Sequence, residues 1–344
     1  IEAAGGCTCV HLLLLSSAPS LGLLRWFKEN GADLNRAAKE GDGDTPLLMA
    51  MRRRHDDVVM WLCDPEGGGA DVDARNAVGS TALLLAAAMP RDHAGKPSAE
   101  VVRGLCNAGA HPAAQAGDAV GGTTPVFMAC AMMHGDGARC VEFLEIFAPE
   151  KHDGAGGNGD TGAGGRRCRR RLLDAAGVNQ MTTFGQTALL KAVETGSGHD
   201  GDGLKTVKSE ALEENAVRVV HLLCKTFGAD PDTANRCNKG ATALHIACGN
   251  ASLPLVQELV LRCNANCERV ADDGDSPLFQ AAYGAANWAS RAAEHGAAGR
   301  LAEARSVVAF MRQRSSERAA NEAIALARSE NMPRVVAELQ RPVS

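Results

Sequence analysis

An all-α solenoid of stacked helix-turn-helix units joined by short β-hairpin loops is the fold class this sequence predicts, on three observations. A four-residue core recurs seven times: Thr8-Cys9-Val10-His11, Thr45-Pro46-Leu47-Leu48, Thr81-Ala82-Leu83-Leu84, Thr124-Pro125-Val126-Phe127, Thr187-Ala188-Leu189-Leu190, Thr242-Ala243-Leu244-His245 and Ser276-Pro277-Leu278-Phe279. A Gly stands two residues before each copy: Gly6, Gly43, Gly79, Gly122, Gly185, Gly240 and Gly274. A second motif follows in register, a residue pair with an apolar residue three beyond it. It reads Val58-Val59 with Leu62, Val101-Val102 with Leu105, Val219-Val220 with Leu223, Val307-Val308 with Met311, and Val335-Val336 with Leu339. Looser copies are Leu23-Leu24 with Phe27, Cys140-Val141 with Leu144, and Leu255-Val256 with Leu259. Self-similarity of this kind means units that cannot bury an apolar face alone and must stack on neighbours.

Each position has a physical role. The Gly suits a hairpin tip where φ must be positive. The Thr or Ser hydroxyl caps the first helix, and Pro fits its first turn, where a missing N–H costs nothing. Leu and Ala at helical spacing then form a narrow apolar stripe. Ala50, Ala86, Ala129, Ala192, Ala247 and Ala281 stand five residues after the Thr or Ser, where a small side chain lets the two helices of a unit approach. After the second helix comes a loop, clearest as Gly31-Ala32-Asp33-Leu34-Asn35, Gly69-Ala70-Asp71-Val72-Asp73 and Gly228-Ala229-Asp230-Pro231-Asp232.

This pattern resembles the ankyrin repeat, whose Gly-x-Thr-Pro-Leu-His-x-Ala-Ala opening and Gly-Ala-Asp-Val-Asn loop it matches over essentially the whole chain. The expectation is a single repeat domain over 1–344, with units starting near 6, 43, 79, 122, 185, 240 and 274. A degenerate unit at 315–341, more polar and lacking the Thr-Pro, is expected to cap the C-terminal end. In the resemblance His11 and His245 are structural, bridging backbone groups between loops, and the units carrying Leu48, Leu84, Phe127, Leu190 or Phe279 lose that bond.

Spacing locates the insertions. From motif Thr to the second residue of the pair the basic distance is 14 residues, as from Thr45 to Val59 and Thr242 to Val256, but 33 from Thr187 to Val220. The same comparison places extra residues at 89–98, 197–213 and 285–302, between the helices of their units, and at 148–171, after an outer helix. These segments are expected to be flexible, because composition so poor in apolar residues does not offset ordering entropy. Part of 285–302 is rich in Ala and Glu and suits a helix.

Composition narrows the function. The net charge of −5 over 344 residues disfavours a general affinity for nucleic acid or anionic membrane. No apolar run approaches the roughly 20 residues that span a bilayer. Twelve cysteines invite a metal or disulfide reading. However, Cys63, Cys106 and Cys224 share one outer-helix position, Cys130 and Cys248 share one inner-helix position, and no pair has zinc-ligand spacing. Free thiols in this number fit a reducing, intracellular and cytoplasmic setting. The Gly-rich stretch 154–165 lacks the Lys-Ser/Thr of a phosphate cradle. Asp272-Asp273-Gly274-Asp275 lacks the alternating ligands and closing Glu of a calcium loop. No catalytic residue, cofactor or metal is expected. Dense basic runs occur at Arg52-Arg53-Arg54 and at 166–171, where Arg166, Arg167, Arg169, Arg170 and Arg171 make a solvated surface, a nuclear import signal or a contact for an acidic partner.

The resemblance implies a protein-interaction scaffold or adaptor, monomeric and not an enzyme, within a larger polypeptide, since the chain opens on Ile1. Two alternatives stand beside it: a module binding nucleic acid or a phosphorylated ligand through its Arg runs, and the targeting region of an enzyme lying outside the chain. In the family, partner contacts come from the residue before the Thr and from those seven and eight beyond it. The expected partner-binding residues are Asp44, Arg52, Arg53, Met89, Met132, Gln186, Glu194, Asn250, Asp275 and Tyr283. Tyr283, the one Tyr in the chain, and the Arg pair are of types that dominate interface energies.

Overall fold

The computed structural model describes residues 8–39, 41–88, 99–118, 121–134, 137–148, 173–197, 210–291 and 297–342. By mutual contacts the chain divides into two compact units, Ile1–Ala129 with Glu142–Gly177, and Cys130–Val141 with Val178–Ser344. The described residues are helices and connecting loops, with one isolated antiparallel bridge between Asn235 and Ala241.

The first unit begins with α1 (Cys9–Leu14), α2 (Leu21–Glu29), α3 (Pro46–Arg53), α4 (Asp56–Cys63), α5 (Ala82–Ala88) and α6 (Ala99–Asn107). Next come α7 (Pro125–Ala131), a 3₁₀ turn at Met132–His134, α8 (Gly137–Phe147) and α9 (Ala175–Val178), all near the division. The second unit continues with α10 (Ala188–Gly196), α11 (Glu210–His221) and α12 (Ala243–Gly249), then α13 (Leu253–Gln257), α14 (Pro277–Ser290), α15 (Ala297–Arg312), α16 (Glu317–Ser329) and α17 (Pro333–Gln340). Inner helices pack on inner ones, as α1 on α3 on α5 and α10 on α12 on α14. Outer helices pack on outer ones, as α4 on α6 and α11 on α13 on α15.

Local chemistry explains why these helices start where they do. The Thr45 hydroxyl accepts the Leu48 N–H at 3.4 Å, Thr124 that of Phe127 at 3.1 Å, Thr187 that of Leu190 at 3.3 Å, and Ser276 that of Phe279 at 3.2 Å. Each satisfies a helix-start donor, worth about 1 kcal/mol. Just before them the hairpins close by backbone bonds, Ala38 N to Asp44 O at 2.9 Å and Ala271 N to Asp275 O at 2.8 Å among them. Gly43, Gly79, Gly122, Gly185, Gly240 and Gly274 all have φ between 59° and 90°, the region the hairpin tip requires.

The core is aliphatic. Leu47, Leu48, Leu62, Leu83, Leu105, Leu189 and Leu190 are fully buried, and the motif alanines from Ala50 to Ala281 are buried between helices. A second, polar ladder runs along the loops. Asn35 Oδ1 accepts the Asp71 N–H at 2.8 Å, Asp73 Oδ1 that of His111 at 2.9 Å, Asn179 Oδ1 that of Asp230 at 2.8 Å, and Asp232 Oδ1 that of Asn266 at 2.9 Å. The last residue of each Gly-Ala-Asp-x-Asn/Asp loop thus ties one repeat to the next.

Of segment 285–302, expected as a flexible insertion with a part suited to a helix, the described residues are largely helical: α14 runs on to Ser290 and α15 starts at Ala297, with 292–296 outside the described residues. Ala285, Ala286 and Trp288 are buried. Alanine has the highest helix propensity, and the Trp288 ring supplies the apolar area that the small residues lack. The ends of 197–213 are also ordered, with Ser197 capping α10 and 210–213 opening α11. Segments 89–98, 149–171 and 198–209, with the Arg cluster, lie outside the described residues.

Candidate binding groove

Within the second unit a groove of about 340 Å³ runs across the inner helices α10, α12 and α14 and the hairpins before them. Its walls carry side-chain amides (Gln186, Asn235, Asn238, Asn250 and Gln280) and two carboxylates (Glu194 and Asp273), over a floor that includes Ala241, Ile246 and Gly249. Gln186 is held by its hairpin: its carbonyl accepts the Thr182 N–H at 2.9 Å, and its N–H meets the Thr182 hydroxyl at 3.3 Å. Glu194 pairs with Lys191 one turn back at 3.1 Å. Asn250, just past α12, donates to the Ser197 hydroxyl at the end of α10. Asp273 meets Lys239 of the preceding hairpin at 3.2 Å.

His245 lines the groove but is fully engaged. Its Nδ1 accepts the Thr242 N–H at 3.1 Å and meets the Thr242 hydroxyl at 2.8 Å, while Nε2 faces the Asp275 carbonyl at 3.1 Å. These partners fix the tautomer with the proton on Nε2. Burial holds its pKa below the usual value, against the opposing pull of the Asp275 carbonyl. It is a neutral structural imidazole with no lone pair free for a base. His11 repeats the arrangement in the first unit, with Nδ1 on the Thr8 hydroxyl at 2.7 Å and Nε2 on the Asp44 carbonyl at 3.0 Å. Among the described residues no three His, Cys, Asp or Glu side chains are grouped to hold a metal ion. No described helix is long and apolar enough to cross a membrane.

The structure gathers three of the sequence-derived contact residues, Gln186, Glu194 and Asn250, into this groove. Asp275 borders it, accepting from Gln280; its carboxyl pKa is raised by burial and by Asp273 beside it. Tyr283 is 46% exposed but opens on a separate hollow of about 320 Å³ with Asn287, Met332, Pro333 and Val335. Met132 is exposed on the 3₁₀ turn. Met89 lies outside the described residues. In the first unit Asp44 is buried and occupied: Oδ1 accepts from Asn76 Nδ2 at 2.9 Å and Oδ2 pairs with Arg52 Nε at 2.7 Å. Arg52 also reaches Asp42 at 2.8 Å, so two carboxylates neutralise it, whereas Arg53 is exposed.

Sequence reasoning passed over Asn235, Asn238 and Gln280, and also Phe184. Phe184 is 63% exposed, its hairpin joined to the next where the Cys237 thiol donates to its carbonyl. An aromatic residue directly before a tip glycine, in a chain with only eight Phe, was the available signal.

The fold is thus that of a helical repeat protein whose units pair a capped inner helix with an outer one. A family model for ankyrin repeats, three copies long, matches residues 5–116 and 209–297, and the chain belongs to the ankyrin repeat family. Such repeats are in general protein–protein interaction modules. No curated protein sequence matches the chain. Among solved structures it is similar to an ankyrin repeat domain from Acinetobacter baumannii AYE, at 20% identity, with 75% of this chain and 98% of that chain covered and a TM-score of 0.49.

Proposed function

We propose that this chain is a non-catalytic binding module that takes a segment of a partner protein in the groove of its second unit. The observation that carries the reading is the lining itself. Amide side chains from three successive repeats line it together with two carboxylates and several small residues, offering donors and acceptors of the kind a polypeptide's own amides satisfy. The exposed ring of Phe184, on the same hairpin as Gln186, is of a type enriched at interface cores. The neutralised Arg52 speaks for a protein partner over a phosphate-bearing one in the first unit, where Asp42 and Asp44 already occupy the guanidinium.

The test is selection of peptides from a displayed random library on the intact chain, followed by titration against Glu194→Ala/Asn250→Ala and Phe184→Ala variants. At least a tenfold loss of affinity with unchanged helical circular dichroism is expected. Undiminished binding by both variants would remove the groove from consideration and return attention to Arg53 and Tyr283.

A further inference from the structure

We propose that a hollow among the outer helices of the last repeats binds an acidic segment of a partner protein through Arg305, Arg312 and Arg341, independently of the groove on the inner helices. The hollow measures about 500 Å³ and is lined by residues of α13, α15 and the end of α17. Clefts of roughly 300–1,000 Å³ are the usual size of ligand sites. Periodicity along α15 sets its wall. Ala304, Val307 and Met311 are buried, whereas Arg305, Ala309 and Arg312 follow one another at helical spacing and stay partly accessible.

Glu338 of α17 is the single acidic side chain in this lining, and it is buried. Arg305 grips its carboxylate with two nitrogens, Nη2 at 2.9 Å from Oε1 and Nε at 3.2 Å from Oε2. Arg341 reaches the same carboxylate, Nε at 3.0 Å from Oε2 and Nη2 at 3.2 Å from Oε1. Arg312 donates from Nη1 to the Arg341 carbonyl at 2.8 Å and has no carboxylate partner among the described residues. Three guanidiniums therefore stand against one carboxylate, and the hollow is left positive in a chain whose net charge is −5.

The contacts of Glu338 show which chemistry the hollow receives. A guanidinium fork matches a carboxylate through paired N–H···O bonds. Glu338 also holds Arg305 and Arg341 in place, while 33% and 47% of their side-chain areas still face solvent. Side chains ordered beforehand lose less conformational freedom when a ligand arrives. Much of the remaining lining is apolar, with Leu253, Val308, Ala309, Phe310 and Pro342. Cations beside apolar surface suit a polypeptide segment that sets Asp or Glu next to an apolar residue. Nucleic acid carries phosphate along its whole length and would meet the negative charge of the chain outside the hollow.

A displayed random peptide library is selected on the intact chain. Recovered peptides are titrated against the wild type, Arg312→Glu, Glu338→Gln and the Glu194→Ala/Asn250→Ala groove variant, with helical circular dichroism as the check on folding. The expected result is a class of peptides with paired Asp or Glu beside an apolar residue. Their affinity should fall about tenfold or more in Arg312→Glu and stay unchanged in the groove variant. It should rise in Glu338→Gln, which releases two guanidiniums, a gain that a misfolded variant would not give. In the wild type it should fall as sodium chloride is raised, a readout that needs no variant. Peptides of the groove form a separate class, so the two readings fail separately. The proposal is overturned if no acidic class is recovered, or if that class binds Arg312→Glu as tightly as the wild type. It is overturned too if Asn and Gln replace the acids without loss while a phosphoserine peptide binds, or if a second copy fills the hollow, seen as a dimer that Arg312→Glu dissociates.

Discussion

His245 Nε2 lies 3.1 Å from the Asp275 carbonyl oxygen, tying the start of one inner helix to the hairpin of the next repeat. His11 and Asp44 repeat this at 3.0 Å in the first unit. Both imidazoles are buried, and burial holds both pKa values below 6.5. The sign of the resulting pH dependence follows from linkage. The unfolded chain binds a proton on each His near 6.5, while the folded chain binds it only at lower pH. The stability these groups contribute is therefore fully present above about pH 6.5 and is lost as pH falls through the folded values.

The wild type should accordingly lose stability between about pH 7 and pH 5 more steeply than a His11→Leu/His245→Leu variant, Leu being the residue of several sister repeats. At pH 7.5 the variant should be less stable by about 1 kcal/mol per site, since two carbonyls and two capping threonines lose a partner. Urea midpoints at both pH values measure this. Parallel pH profiles in the two proteins would mean that the imidazoles do not titrate on unfolding as argued.

Asp44 and Arg52 form a pair of unequal partners. Asp44 is buried and also serves Asn76, which is 6% exposed, while Arg52 keeps 41% of its side-chain area in solvent. Removing the Arg leaves a carboxylate still bonded to Asn76, and exposed ion pairs contribute little. Removing the Asp strands a buried amide. Asp44→Ala should therefore destabilise by about 1–3 kcal/mol and Arg52→Ala by less than about 1 kcal/mol. Equal shifts in the denaturation midpoint would show that the contact is only electrostatic.

The repeat register, the hairpin glycines, the Thr and Ser caps and the two bridging histidines were legible because each is local chemistry: one residue type meets one backbone need within a few positions. What was not legible depends on neighbours. The π-helical turns at Leu222–Thr226 and Glu258–Arg262 have no sequence mark. His55 Nε2 reaches the Leu14 carbonyl at 3.1 Å, adding a second histidine link between the first two repeats, which His11 and Asp44 already join. Nothing local announces that bond. That part of the alanine-rich 285–302 suits a helix was legible from its composition, but the burial of Ala285, Ala286 and Trp288 was not, because it comes from packing α14 against α15 and α17. Of the expected contact residues in the second unit, Gln186, Glu194 and Asn250 line one hollow with residues of the hairpins, while Tyr283 lines another with the residues that open α17.

Two helical glycines should respond oppositely to the same substitution. Gly284, in α14, stands where a Cβ would lie 2.6 Å from the carbonyl oxygen of Gly249 at the end of α12. That oxygen is backbone and cannot swing aside, so the inner helices would have to separate. Gly299, in α15, has nothing within 4 Å of the same added atom. In a helix interior Ala is favoured over Gly by up to about 1 kcal/mol. Gly299→Ala should collect that difference and raise the thermal midpoint. Gly284→Ala should lose it to the overpacking cost, about 1–3 kcal/mol, and lower the midpoint. Because Gly249 also forms part of the groove floor, Gly284→Ala should disturb ligand binding there as well, and Gly299→Ala should not. Paired melting curves decide the matter: a rise in both variants would mean that α12 and α14 part readily, and that the small residues between them do not set their spacing.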